Sequence, residues 1–140
     1  MKTISNKNAL LKFIEKETNL GFVPTMGALH EGHKSLIKKS LKQCGKTIVS
    51  IFVNKPQFNK KNDFLKYPRN IKRDIKLLKN LKVHYLYLPK NNQIYPKGIN
   101  KNIKISAFSK KLCGKFRPGH FESVADVIDR FVKIIKPKKI

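Results

Sequence analysis

The stretch GFVPTMGALHEGHKSLI, residues 21–37, decides the fold because it joins a strand to a helix through a glycine-containing turn. Residues 21–25 are mostly apolar and predict a brief strand, and helix-compatible residues follow the turn at once. His30 and His33 lie three residues apart at the junction. Such a pair suits a zinc site, a phosphate-binding turn or an ordinary turn of a packed domain.

Elements of alternating type flank this stretch. Upstream, residues 4–17 predict an amphipathic helix with Ser5 as its N-cap. Downstream, the pattern predicts a helix ending near Gly45, strands at 47–54, 83–89 and 102–106, a helix at 70–82, and a helix from 124 that stops at Lys136-Pro137. The alternation predicts one α/β domain over residues 1–140, with a Rossmann-like, doubly wound parallel sheet. In such sheets ligands bind beyond the carboxyl ends of the strands.

The net charge of +24 and the pI near 10.3 suggest nucleic-acid binding, but the kind and placement of the charges argue against it. The cations are 28 Lys and 4 Arg, spread from Lys2 to Lys139. Arg is the residue favoured for bidentate recognition of phosphates and bases. A general enrichment in Lys, Asn and Ile codons would explain the excess of positive charge without any nucleic-acid partner. We expect no specific nucleic-acid function, only weak non-specific binding at low salt.

Several other protein classes are excluded by length and composition. No apolar run approaches the roughly 20 residues of a membrane span, and the N-terminus has no apolar signal-peptide centre. Cys44 and Cys113 are the two cysteines and form no CxxC pair, which argues against a disulfide scaffold or a cysteine-rich zinc site. We therefore expect a cytoplasmic protein with no membrane association.

The histidine pair favours phosphate over zinc. A metalloprotease helix places its histidines at i and i+4 and adds a third ligand, whereas HEGH has them at i and i+3 with no evident third ligand. Gly27 and Gly32 allow a nucleotide to approach the backbone, and the following helix N-terminus offers N–H groups. An imidazole there can donate to phosphate oxygens. An ordinary turn remains the alternative from these residues alone.

The motif PTMGALHEGHKSLI, residues 24–37, closely resembles the ATP-binding signature of the pantothenate synthetase (pantoate–β-alanine ligase) family, within the HxGH nucleotidyltransferase superfamily. The likeness continues in four further blocks in the family's order. They are VSIFVNKPQF (49–58), DFLKYPRNIKRDIKLLKNLKVHYLYLP (63–89), IYP (94–96) and RPGHFESVADVIDRFVKIIKP (117–137). One HxGH is weak evidence, but five blocks with matching spacing cover nearly the whole chain.

The resemblance implies a set of site residues. Its ATP-binding stretch comprises Met26, Gly27, Ala28, Leu29, His30, Glu31, Gly32 and His33. His33 occupies the position of the family's proton donor. Gln57 matches the glutamine that binds pantoate and β-alanine, and Asn54 matches a neighbouring asparagine that lines the same site. Tyr67-Pro68-Arg69 and the 117–120 segment are open between structural and substrate-contact roles, whereas Asp63 and Asp74 look like surface or helix-start carboxylates.

The resemblance also implies a reaction. Pantoate carboxylate attacks the α-phosphate of ATP, with Mg²⁺, and releases pyrophosphate; β-alanine then displaces AMP from the pantoyl-adenylate to form pantothenate. The implied partners are these small molecules, together with a homodimer mate or a separately encoded C-terminal half. The remaining hypotheses are a related nucleotidyltransferase, an inactive or partner-dependent remnant, and a basic nucleic-acid-binding remnant.

Three departures from the family pattern qualify the expectation. FVNKPQF places the proline one position later than the family does, at Pro56. Ser123 and Asp126 replace a small residue and a threonine. The family's chain continues into a further ATP loop and a C-terminal lid, whereas this sequence stops at Ile140. We expect a truncated form with weak or no ligase activity on its own.

Overall fold

The computed structural model describes residues 1–100, 102–103 and 119–140. The strand expected at 102–106 lies mostly outside these residues, as do Cys113 and Arg117. Within them, four strands form one sheet: β1 (Lys2–Ile4), β2 (Leu20–Thr25), β3 (Lys46–Ile51) and β4 (Tyr85–Tyr87).

All described strand pairs are parallel, in the order β1-β4-β3-β2. One row of the register runs across the whole sheet through Thr3, Leu86, Val49 and Val23. The predicted parallel α/β sheet is therefore confirmed. Because the strands run the same way, their carboxyl ends share one edge, where β2 and β3 are followed by the polar segments that the sequence singled out.

The helices cover both faces of the sheet, and those that precede β4 connect successive strands. They are α1 (Lys7–Ile14), α2 (Glu31–Gln43), a 3₁₀ turn (Lys55–Gln57), α3 (Lys61–Lys66), α4 (Ile71–Asn80), α5 (Asn91–Ile94) and α6 (His120–Ile135). As predicted, α6 ends immediately before Lys136-Pro137, and Lys136 adopts a φ of +49°. No helix among the described residues is long and apolar enough to cross a membrane.

Alternation along the strands creates two apolar cores. Neighbours such as Ile48 and Val49 point to opposite faces, so the sheet is buried on both sides. One core holds side chains from α1, α5 and α6, including Leu10, Ile94 and Phe131. The other holds side chains from α2 and α4, including Ile37 and Leu78. This two-sided burial confirms the doubly wound arrangement.

The structure corrects several local predictions. Residues 2–4 form a strand, so the first helix begins later than predicted, at Lys7, and Asn6 rather than Ser5 is its N-cap. The strand predicted at 47–54 ends at Ile51 because the chain turns into the 3₁₀ segment that contains Pro56. The strand predicted at 83–89 spans only Tyr85–Tyr87, and the helix predicted from 124 begins at His120. The short helices α3 and α5 were not predicted, because 6 and 4 residues are too few for a readable helical period.

Candidate active site

The turn after β2 has a backbone that requires glycine. Gly27 has a φ of +86°, and a Cβ on it would lie 3.1 Å from both Asp74 Oδ2 and Ile51 Cγ2. Thr25 connects this turn to β3, since its Oγ1 donates to the Ser50 carbonyl at 2.7 Å and accepts from Gly27 N–H at 3.1 Å. The strand end therefore holds the turn at the carboxyl edge of the sheet.

Asp74 binds the same turn from α4. Its Oδ2 accepts from Ala28 N–H at 2.9 Å, and its Oδ1 accepts from Leu29 N–H at 3.0 Å. The residue does lie in the first turn of α4, as the sequence suggested, but it is only 2% exposed and is not a surface carboxylate. No local signal could identify this role, because the bonded residues are 45 and 46 positions apart.

The two histidines cap α2 with their own side chains. His30 is the N-cap, and its Nδ1 accepts from Gly32 N–H at 3.2 Å, while His33 Nδ1 accepts from His30 N–H at 3.4 Å. The ring centroids are 4.1 Å apart. A Cβ on Gly32 would lie 3.0 Å from His30 Cε1, so glycine leaves space for the capping ring. Helix capping thus accounts for the HxGH spacing.

This capping determines which nitrogen can act on a ligand. A neutral imidazole whose Nδ1 accepts a hydrogen bond carries its proton on Nε2. Burial lowers the pKa of His33 below its usual 6.5, repulsion from His30 adds to this effect, and Asp74 opposes it. His33 is therefore neutral at neutral pH, with an Nε2–H group that can donate. Among the described residues, no hydrogen bond uses Nε2 of His30 or His33.

The sequence suggested free backbone N–H groups at this turn, but the structure shows five of them already hydrogen-bonded. The N–H groups of Gly27, Ala28, Leu29, His30 and Gly32 all donate to protein side chains. These side-chain acceptors satisfy the five N–H groups without a ligand. The donors that the turn offers to an anion are therefore the imidazole groups rather than these five amides.

His33 lines a cavity of about 230 Å³ between the turn and α6. Met26, Asn54, Gln57 and Tyr67 line the same cavity, and apolar side chains of α6 form its floor. An adjoining cavity of about 530 Å³ shares three of its residues and adds polar and basic side chains. The shared residues are Met26, Gln57 and Tyr67, and the added ones include Lys60, Lys66 and His120.

Asn54 is held by protein partners on both sides of its amide. It is 1% exposed, its Oδ1 accepts from Tyr95 O–H at 2.7 Å, and its Nδ2 donates to the Ser123 carbonyl at 3.2 Å. A longer contact of 3.4 Å joins Nδ2 to Gln57 Oε1. Asn54 therefore positions the 3₁₀ turn that presents Gln57. The sequence had no signal for the contribution of Tyr95.

Not every residue of the predicted ATP-binding stretch reaches the cavity. The side chain of Leu29 lies in the core at 4% exposure. Glu31 is exposed, forms an ion pair with Lys34 and lines a separate cleft between α2 and α4. Lys34 lowers the pKa of the Glu31 carboxyl by hydrogen bonding and by its charge. Of the eight residues, Met26 and His33 have side chains that line the 230 Å³ cavity.

The structure accommodates the departures at Pro56, Ser123 and Asp126. Ser123 Oγ donates to the Pro56 carbonyl at 2.9 Å and so connects α6 to the displaced proline. Asp126 is 4% exposed and pairs with Arg130 at 2.6 Å. The added carboxylate does not line the cavity that contains His33. The proline shift leaves Gln57 in both cavities.

The sequence left open whether Tyr67-Pro68-Arg69 and the 117–120 segment are structural or contact substrate. In the structure, some of their described residues stabilise loops and others line a cavity. Arg69 donates to three carbonyls, those of Phe64, Leu65 and Tyr67, so its guanidinium stabilises a loop. Tyr67 lines both cavities, and burial raises its pKa, so its hydroxyl stays protonated. His120 Nδ1 lies 3.2 Å from the Gln57 carbonyl and lines the larger cavity.

A larger cavity, of about 640 Å³, lies beside β2 and is lined mainly by apolar and aliphatic groups such as Phe22, Leu36 and Ile140. It contains neither histidine of the turn nor Gln57. Volume alone does not identify a site, and the chemistry of the smaller pair of cavities is the better guide.

A parallel sheet wound on both faces, with a histidine-capped turn at its carboxyl edge, defines a Rossmann-like α/β fold, a class whose ligands bind at that edge. Comparison with known proteins narrows this class. The family model described as Pantoate-beta-alanine ligase matches residues 1–140, and the chain therefore belongs to the pantoate–β-alanine ligase family.

Individual relatives agree with the family. The pantothenate synthetase of Pseudothermotoga lettingae is 43% identical over 139 residues, covering 99% of this chain and 50% of the relative. That of Thermodesulfovibrio yellowstonii is 47% identical over 122 residues, covering 87% and 44%. The chain spans about half the length of the curated relatives it matches.

A solved structure supports the same assignment. The pantoate-beta-alanine ligase of Francisella tularensis, complexed with beta-gamma ATP and beta-alanine, superimposes with a TM-score of 0.92 at 40% identity. The match covers 98% of this chain and 54% of that one. The pantothenate synthetase of Thermus thermophilus gives a TM-score of 0.90 at 34% identity, covering 99% and 50%.

Proposed function

We propose that residues 1–140 form the nucleotide-binding catalytic domain of an ATP-dependent ligase that condenses pantoate with β-alanine to give pantothenate. The supporting observation is that His33, Met26 and Gln57 line one cavity at the carboxyl edge of the sheet in a member of the pantoate–β-alanine ligase family. In this proposal the turn at residues 26–33 binds ATP through the side chains of Met26, His30 and His33, and Gln57 binds the acid and the amine.

In the first step, a pantoate carboxylate oxygen forms a bond to the α-phosphorus of ATP. The bond from that phosphorus to the bridging oxygen breaks, and pyrophosphate leaves with the electron pair. Negative charge builds on the phosphate oxygens during this displacement. The Nε2–H groups of His30 and His33 donate to those oxygens, because each Nδ1 is already held by a backbone N–H.

In the second step, the amine of β-alanine forms a bond to the acyl carbon of the pantoyl-adenylate. The bond from that carbon to the phosphate oxygen breaks, AMP leaves, and the amine loses a proton. The Gln57 amide has both donors and an acceptor, so it can orient a carboxylate and an ammonium or amine group. Asn54 keeps this amide at the cavity through its contact to Oε1.

Mg²⁺ enters as part of the ATP substrate. Among the described residues, no cluster of three His, Cys, Asp or Glu side chains could hold a metal ion. Mg²⁺ in nucleotide-dependent enzymes is commonly bound by substrate phosphates and water, with few protein ligands. The ion would neutralise the triphosphate while the imidazoles act at the reacting phosphate.

The test is the first half-reaction, followed as pantoate-dependent exchange between ATP and labelled pyrophosphate, together with ATP binding by calorimetry. We expect His33→Ala to reduce exchange about 10²–10³-fold, the usual effect of losing one preorganised donor. His84→Ala is the matched control, because His84 Nδ1 also accepts a backbone N–H, from Thr47, but lies beside the amino ends of the strands.

Three outcomes would contradict the proposal: no ATP binding by the purified chain, exchange that another acid supports better than pantoate, or equal loss in both histidine variants. The second of these would indicate a related nucleotidyltransferase.

A further inference from the structure

We infer that Asp74 is a positioning residue, whose carboxylate holds the turn that directs the His30 and His33 imidazoles to the nucleotide. This inference rests on the proposed function. Asp74 does not line either cavity that contains Met26 and Gln57, so it acts through the turn and not by contact with substrate.

The contact geometry is specific. The two carboxylate oxygens each accept one N–H, from the consecutive residues Ala28 and Leu29 that lead directly to His30. Charge-assisted hydrogen bonds of this kind are about twice as strong as neutral ones. One side chain of α4 therefore fixes the orientation of two adjacent peptide groups at the start of α2.

The turn needs such support because its backbone is unfavourable. Ala28 has a φ of +52°, in the left-handed region that residues with a Cβ rarely adopt. Gly27, with a φ of +86°, precedes it. A conformation of this kind persists where surrounding contacts over-determine it, and two hydrogen bonds to a buried carboxylate supply those contacts.

Asp74 also determines which groups of the turn remain available for phosphate. The amides of Ala28 and Leu29 would otherwise be natural anion ligands, as at many helix N-termini. The carboxylate occupies them and places a negative charge behind the turn, so a phosphate is steered toward the imidazole side. Among the described residues, no Lys or Arg forms an ion pair with Asp74, so these amides are its main compensation.

Asp126 provides a matched comparison within the same chain. It is similarly buried, at 4% against 2% exposure, and it too accepts a backbone N–H, from Asn100 at 3.0 Å. It belongs to α6, is paired with Arg130, and does not contact the histidine turn. Asp126→Asn therefore perturbs a second buried carboxylate, one that accepts a backbone N–H, without touching the proposed positioning contact.

The experiment compares ATP affinity, urea unfolding and amide exchange in the wild type, Asp74→Asn and Asp126→Asn. Asparagine has one oxygen acceptor, so its NH₂ group must face one of the two turn amides. We expect Asp74→Asn to weaken ATP binding at least about tenfold, because part of the binding free energy would then go into ordering the turn. Exchange at Ala28 and Leu29 should accelerate at the same time. Asp126→Asn should lose stability but keep ATP affinity within about twofold.

The outcomes separate this inference from the proposed function. ATP binding that is absent in the wild type refutes the function, whereas unchanged affinity in a folded Asp74→Asn refutes the inference alone. Should that variant not fold, Asp74→Glu retains the charge and should recover part of the affinity. A measurement on the wild type completes the test: scalar coupling across the hydrogen bonds from the Ala28 and Leu29 amides to the Asp74 carboxyl carbon. Its absence would overturn the inference.

Discussion

At the residue scale, each histidine of the pair uses one ring nitrogen for helix capping and leaves the other available for the proposed chemistry. Nδ1 of each ring caps the start of α2, and Nε2 is left to donate. Gly32 contributes by lacking a Cβ where the His30 ring lies. The one-letter pattern shows the spacing of these residues, but the tautomer follows only from the hydrogen bonds.

His33 should titrate below its usual pKa of 6.5, because burial and His30 disfavour the charged ring. The depressed pKa contributes stability that is present above pH 6.5 and is lost as the pH falls through the folded-state pKa. Nitrogen NMR should show the low pKa, and Asp74→Asn should lower it further, since Asp74 opposes the shift.

The pH dependence of the free energy of unfolding gives a second test of the lowered His33 pKa. Between about pH 7.5 and about pH 5.5, the wild type should lose more stability than His33→Gln, which has no such titration. A His33 pKa above 6.5, or identical pH dependence in the two proteins, would be evidence against the described burial of the ring.

At the element scale, the long apolar strands were easier to predict than the short edge strand β1 and the helix starts. TIVSIFVN was identified because it is apolar on both faces, which is typical of a sheet buried on both sides. The start of α1 was placed too early because Ser5 and Asn6 are both good N-caps. Which of the two residues caps the helix depends on where β1 ends, and β1 is only three residues long.

The cap assignment gives a direct test with a neighbouring control. Asn6 Oδ1 accepts from Ala9 N–H at 3.0 Å. Asn6→Ala should therefore lower the free energy of unfolding by about 1 kcal/mol, whereas Ser5→Ala should change it by less than about 0.5 kcal/mol. Urea denaturation measures both. The reverse order would show that the helix begins one residue earlier.

At the scale of the whole molecule, the basic charge and the proposed ATP site lead to separate predictions. Cations are spread along the chain, so binding to DNA should be independent of sequence and should disappear between about 50 and about 200 mM salt. Saturable ATP binding should persist, and His33→Ala should weaken it while leaving DNA retention unchanged. Filter binding and calorimetry measure the two. Salt-resistant binding to one DNA sequence would instead support a nucleic-acid function.

The sequence alone determined the parallel α/β arrangement, the turn at the end of β2 and the family resemblance. These depend on local periodicity, on glycine and on short motifs, which are readable without knowing what packs nearby. The same local information placed Met26, His33, Asn54 and Gln57 at a common edge, because parallel strands end on one side.

Only the tertiary structure decided the contacts between distant segments. The bonds of Asp74 to Ala28 and Leu29, and of Tyr95 to Asn54, join residues 41 to 46 positions apart. They exist because α4 and α5 pack on opposite faces of one sheet and bring their ends to its edge. Sequence periodicity does not predict such long-range contacts. They depend on how whole helices are oriented on the sheet, and this orientation is set when the two cores pack.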